Sequence, residues 1–112
     1  MISQVGKNAI AELIDGELTN GKLGTGTTTP SVSDTDLVTE VTSTIDTLVG
    51  VQSNNQIVIT YSLDSVTGNG NTYTEYGNFF TTSETLLNRI TFTGVPKNSA
   101  IEFQVNTIVN IL

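Results

Sequence analysis

"IEFQVNTIVNI", residues 101–111, decides the fold. Ile101, Phe103, Val105, Thr107, Val109 and Ile111 fall on one side of an extended chain. Glu102, Gln104, Asn106, Ile108 and Asn110 fall on the other. A helix would scatter these residues around its axis. A period of two lays them out as a long strand with one wet face.

Three more segments upstream have the same character. "QIVITYSL", 56–63, turns Ile57, Ile59, Tyr61 and Leu63 one way. "TYTEYGNFF", 72–80, is expected to put Tyr73 and Phe79 on one face and Tyr76 and Phe80 on the other. "LLNRITFTG", 86–94, sets Leu86, Ile90 and Phe92 in register. Between them lie the polar turns "SVTGNGN" (65–71), "TTSET" (81–85) and "VPKNS" (95–99). Strands joined by short polar turns predict a mainly β protein, an antiparallel sandwich of jelly-roll-like character, and not parallel βαβ units.

The N-terminal part reads differently. Val5, Ala9, Ile10, Leu13 and Ile14 recur at a helical period, with Ser3 as the cap and Asp15-Gly16 as the stop, which predicts an amphipathic helix over 4–14. Residues 17–41 read as a Gly/Thr-rich arm, mostly loop, anchored by Leu18 and Leu23 and ending in a short helical turn near 34–41. Ser33 and Asp36 fit a capping pattern there. A chain of 112 residues makes one domain: a helical segment 1–16, the arm 17–41 and the sandwich 42–112.

Composition narrows the chemistry. Cysteine and histidine are both absent, which removes disulfides, thiolate zinc sites and the commonest general base. The net charge is −7, and the four basic residues, Lys7, Lys22, Arg89 and Lys97, are scattered. Nucleic-acid binding requires a clustered basic patch, so no nucleic-acid partner is expected, and an anionic membrane surface is disfavoured for the same reason. "MISQVGKNAIAELIDG" has no basic stretch followed by an unbroken apolar run, so it does not read as a signal peptide. Twenty threonines and eleven asparagines make the surface polar without being charged.

The loop "KLGTGTTTPSVSDTD", 22–36, invites three readings. A phosphate cradle requires a Walker lysine or a third glycine, and the sequence supplies neither. A hard-cation site draws on oxygen-rich loops, and Asp34, Asp36 and, further on, Asp64 are Ca²⁺ candidates, although they equally serve as caps and turn formers. The third reading is a structural corner that uses Gly24 and Gly26 for unusual backbone geometry. Glu75 and Glu102 are the carboxylates able to meet across a sheet, with no cofactor implied. Arg89, mid-strand, pairs with a carboxylate or sits at an interface. The aromatics Tyr73, Tyr76, Phe79 and Phe80 serve as core or as a sugar-stacking platform.

The segments "GKNAIAELIDG", "LGTGTTTPSVSDTDLVTEV" and "YTEYGNFFTTSETLLNRITFTGVPKNSAIEFQVNTIV" together resemble small structural proteins of tailed bacteriophages. They are also similar to the N-terminal attachment domain of tail-collar and tail-fibre proteins. The resemblance implies a non-enzymatic virion component on the particle surface, as a capsid decoration (cement) protein or a tail or collar part. It would form a homo-oligomer, a trimer, and contact other virion proteins. Because the chain stops at Leu112, just after the final strand, the expected role is a stand-alone component and not a complete receptor-binding fibre. Val5, Ile10, Leu13, Leu18, Leu23 and Arg89 are the expected assembly-interface residues. The alternative is a carbohydrate- or receptor-binding β module using the Tyr73–Phe80 stretch.

Overall fold

The computed structural model describes residues 1–81 and 84–112. The turn expected at 81–85 therefore falls partly on Thr82 and Ser83, outside the described residues. Helix α1 (Gln4–Glu17) leads directly into strand β1 (Leu18–Gly24). A long loop and a single 3-10 turn (Thr42–Thr44) follow. The remaining strands are β2 (Asp46–Thr47), β3 (Val49–Ser53), β4 (Gln56–Leu63), β5 (Thr72–Phe80), β6 (Leu86–Pro96) and β7 (Phe103–Asn110). They build two antiparallel sheets, β2-β1-β5-β6 and β3-β4-β7. The mainly β, two-sheet architecture with an N-terminal helix is as the alternation predicts.

The sheets pack face to face through aromatic residues. Tyr61 of β4 meets Tyr76 of β5 with ring centroids 5.0 Å apart, and Tyr73 of β5 meets Phe103 of β7 at 6.1 Å, edge to face. Around them lie Leu23, Leu48, Ile57, Ile59 and Leu63, all buried. Each phenol reaches a polar partner, which a buried tyrosine requires. Tyr61 donates to the Thr44 carbonyl, Tyr73 to the Gly68 carbonyl and Tyr76 to the Asn78 side-chain oxygen. Asn78 in turn donates to Thr107 of β7 at 3.1 Å, a polar tie between the two sheets.

Three expectations are corrected. The first half of the arm is not loop: Leu18–Gly24 is an interior strand, paired with β2 on one side and β5 on the other. Residues 34–41 form no helical turn; instead Thr25 and Val41 exchange backbone bonds with Thr39 and Leu23 across the loop's closure. In β5, Tyr73 and Tyr76 share the inter-sheet core although they are three residues apart. A register shift against β6 between Tyr73 and Glu75 makes this possible, since an extra residue reverses the facing of everything beyond it.

Helix α1 is capped as expected, with Ser3 Oγ accepting from the Gly6 N–H at 3.2 Å. Its buried side is centred on Ala11, with Ile14 and Leu18 packed against the core. Val5 and Leu13 point outward, 76% and 70% exposed.

All three tyrosines are fully buried. Burial pushes the Tyr61, Tyr73 and Tyr76 phenols above the ordinary value of 10.0. The fold holds the neutral phenol, so this stability is complete below pH 10 and is lost as pH rises through the higher folded values. An alkaline absorbance titration is expected to show no phenolate step near pH 10, followed by a steep rise coincident with loss of circular dichroism. A gradual titration centred at 10 in folded protein would contradict the burial.

Candidate functional site

The opening loop is explained by one buried carboxylate. Glu75 lies on β5 with its side chain on the outer face of the four-stranded sheet, opposite Gly24 of β1 and Thr91 of β6. A solvent-facing strand position would leave it exposed. Instead its side chain is 0% exposed, because residues 25–41 fold over that face as a roof. Four donors converge on it. The Gly26 and Thr39 N–H groups reach Oε2, both at 2.8 Å, and the Val38 N–H and Arg89 Nε reach Oε1, both at 2.9 Å.

Arg89 completes the latch. Its Nη2 donates to the Thr28 carbonyl at 2.8 Å and its Nη1 to Asp34 Oδ2 at 3.2 Å. A planar guanidinium with five fixed donors suits this three-way junction, where a lysine would serve it poorly. Gly24 and Gly26 are needed here for closeness. A Cβ on either would sit 2.5 Å from Glu75 Oε2, and on Gly24 also 2.4 Å from the Thr39 carbonyl. The loop "GTGTTTP" is thus a structural corner whose glycines let backbone approach an ion pair.

A second buried charge adjoins the first. Lys22 of β1 is 3% exposed; its Nζ lies 2.9 Å from Glu40 and 3.5 Å from Glu84 and sits 4.3 Å over the Phe79 ring. Burial alone would lower its pKa, but Glu40, Glu84 and Asp36 reverse this and raise it. Leu37 closes the roof, buried beside Gly77.

The Ca²⁺ candidates do not assemble. Asp34 is engaged by Arg89 and by the Ser31 N–H. Asp36 is exposed and accepts from the Leu37 N–H. Asp64 closes an Asx turn, accepting from the Val66 N–H and Thr67 hydroxyl. Among the described residues no three Asp, Glu, His or Cys side chains converge to hold a metal. Glu102 is exposed and far from being a partner for Glu75, which is committed to Arg89. Tyr73, Tyr76 and Phe79 are interior, and Phe80 alone of the aromatic stretch is half-buried.

The expected interface residues divide. Leu23 is fully buried and Arg89 is internal, so neither is free to contact a neighbour, while Leu18 is half-buried against the core. Val5 and Leu13 are exposed, and Ile10 is half-buried. With Ile2 and Ala9 they form an apolar ridge along α1. Leu13 also borders an open notch of about 350 Å³ with Ile14, Glu17, Phe80 and Thr85.

Sequence reasoning missed the outer face of the three-stranded sheet. Register places Ser53, Gln56 and Asn110 in one row, Val51, Val58 and Ile108 in the next, Val49, Thr60 and Asn106 in a third, and Ser62 with Gln104 in a fourth. None of these residues is charged, although the chain carries −7 overall. Val49, Val51 and Ile108 are each more than 60% exposed. The signal lay in the even-numbered positions of 104–110, but the expected wet face concealed it.

Glu75→Gln is expected to destabilise the protein by about 3–5 kcal/mol in urea unfolding, since it strands the Arg89 charge inside. Glu102→Gln, at an exposed position, is the control and is expected to change little. Unchanged stability in Glu75→Gln would show that the latch does not hold the roof.

The Glu75 carboxyl also sets an acid limit. Burial alone would raise its pKa, but Arg89 and the Thr39, Val38 and Gly26 N–H groups together hold it below the ordinary 4.5. The ionised form is favoured in the fold. Its contribution is therefore complete above pH 4.5 and is lost as pH falls through the lower folded value. Hydrogen exchange is expected to show residues 25–41 opening first as pH drops below that range. Protection of 25–41 that outlasts that of the core strands in acid would refute the assignment.

Comparisons with models of protein families, with curated proteins and with solved structures returned no match for this chain.

Proposed function

We propose that this chain is a non-enzymatic structural component of a tailed-phage particle, a small self-associating β module on the outer surface, as capsid decoration or as a tail or collar part. The reading rests on the resemblance carried by the helix, the Gly/Thr loop and the strand order. The observation that carries it furthest is the apolar ridge of α1. Val5 and Leu13 stand exposed on a helix whose opposite side is already packed, with Ile2 exposed just before it and the notch bordered by Phe80 beside it. Exposed ridges of this kind mark contact surfaces.

The buried ionisable groups support the same reading. Glu75, Arg89 and Lys22 are all engaged in internal pairs, with side chains 4% exposed or less. Other particle proteins are the partners in this proposal, with α1 as the attachment element and burial of Val5 and Leu13 as its driving force. Burying each such side chain is worth about 1.5–3 kcal/mol.

The test is incorporation into particles. The chain is expected in purified phage at stoichiometric amounts. The double variant Val5→Asp, Leu13→Asp is expected to keep its circular dichroism and fail to incorporate. Absence of the wild-type chain from purified particles, or normal incorporation of the double variant, would overturn the reading.

A further inference from the structure

We propose that the free edge of β7 pairs with β7 of a second copy of this chain, antiparallel about a two-fold axis centred on Thr107. This goes beyond the virion reading and stands without it. It also replaces the three-fold association that the resemblance implies with a two-fold one.

The argument starts from the four sheet edges. β2 is two residues long. β3 is only five residues long, with a glycine at 50, and α1 packs across its inner face. β6 carries register shifts against β5, a glycine at 94 and Pro96 at its end. All three edges are thus short or irregular, which is how native sheets avoid unwanted pairing. β7 has none of these devices. It is eight residues of regular strand, Phe103–Asn110, with no charge, no proline and no bulge against β4.

The direction of its backbone groups follows from one bond. The Ile111 N–H donates to the Asn55 carbonyl at 2.9 Å, so Ile111 faces the β4 side. Alternation then turns Phe103, Val105, Thr107 and Val109 toward β4 and leaves the N–H and C=O of Gln104, Asn106, Ile108 and Asn110 on the free edge. Such a row of unpaired donors and acceptors accepts one kind of occupant, another extended strand.

Self-complementarity selects a second copy as that strand. With Thr107 opposite Thr107, the inward side chains match as Phe103 with Ile111 and Val105 with Val109, all half-buried in the single chain. The outward side chains match as Gln104 with Asn110 and Asn106 with Ile108. Gln104–Asn110 and Asn106–Ile108 are then the hydrogen-bonded pairs, so every free-edge group in the strand is satisfied. The charge pattern agrees: two chains of −7 repel, yet the eight residues of β7 bring no charge to the seam. The row Val51–Val58–Ile108 then continues into the row Asn106–Thr60–Val49 of the copy. Ile90 on β6, 40% exposed, lies on the same side of the sandwich, since the Phe92 and Phe103 rings are 6.1 Å apart.

Sedimentation or native mass spectrometry of the full chain is expected to show a concentration-dependent dimer. Asn106→Pro removes a free-edge donor while leaving the β4 ladder intact, and edge positions tolerate proline. It is expected to weaken the dimer by ~10- to 100-fold with circular dichroism unchanged. Because the chain has no cysteine, a second measurement covers the case in which that variant misfolds. A mixture of Asn106→Cys and Ile108→Cys proteins is expected to give the mixed disulfide dimer ahead of either protein alone. A monomer at all concentrations, a discrete trimer, or no preference for the mixed disulfide would overturn the proposal. These readouts concern the isolated chain, so the pairing and the virion reading fail separately.

Discussion

A single carboxylate, Glu75, holds the architecture's least obvious part in place. It is buried on the outer face of a sheet, where a charged residue is ordinarily solvated, and it accepts four hydrogen bonds from three separate chain segments. Removing a carboxylate from water costs several kcal/mol, and only such a full set of partners offsets it. Three of those donors belong to the roof of residues 25–41, which they hold against the sheet. Arg89, Asp34, Gly24 and Gly26 all take their roles from this constraint. The neighbouring Lys22–Glu40 pair extends the same arrangement along β1.

The roof makes the molecule three layers thick on one side only. The loop covers β1-β5-β6, the inter-sheet core lies beneath it, and β3-β4-β7 forms the floor with its outer face bare. The two outer surfaces therefore differ in kind. The roofed side is polar, charged and internally satisfied. The floor rows are uncharged and rich in Val, Asn, Gln and Ser.

Much of this was legible in the sequence wherever one physical term dominated. β4 and β7 alternate cleanly because one face is core and the other is water. α1 was legible as a helix, with its cap, but its stripe gave the wrong orientation: Val5 and Leu13 lie outside while Ala11 is inside. A small residue at the tightest contact hides the buried face. β1 was missed because Asn20, Gly21, Lys22 and Gly24 have little strand preference. That strand is specified by what surrounds it, with Gly21 close under Tyr61 and Tyr76 and Lys22 held by Glu40. β5 was found, but its faces were misassigned, because both are buried and a register shift interrupts the alternation. The pairing of Glu75 with Arg89 and with the loop spans long stretches of sequence, and no local pattern announces it.

The helix meets β1 with no intervening residue, Glu17 being followed at once by the first residue of the strand. That junction gives the molecule a mechanical character. A force applied along α1 enters β1 directly, and β1 is bonded on both flanks, to β2 and β5. Extracting it along its axis loads many ladder bonds in shear at once, whereas peeling a terminal strand would break them one at a time. Helix α1 is therefore anchored to an interior strand, in a geometry that resists extraction along its axis.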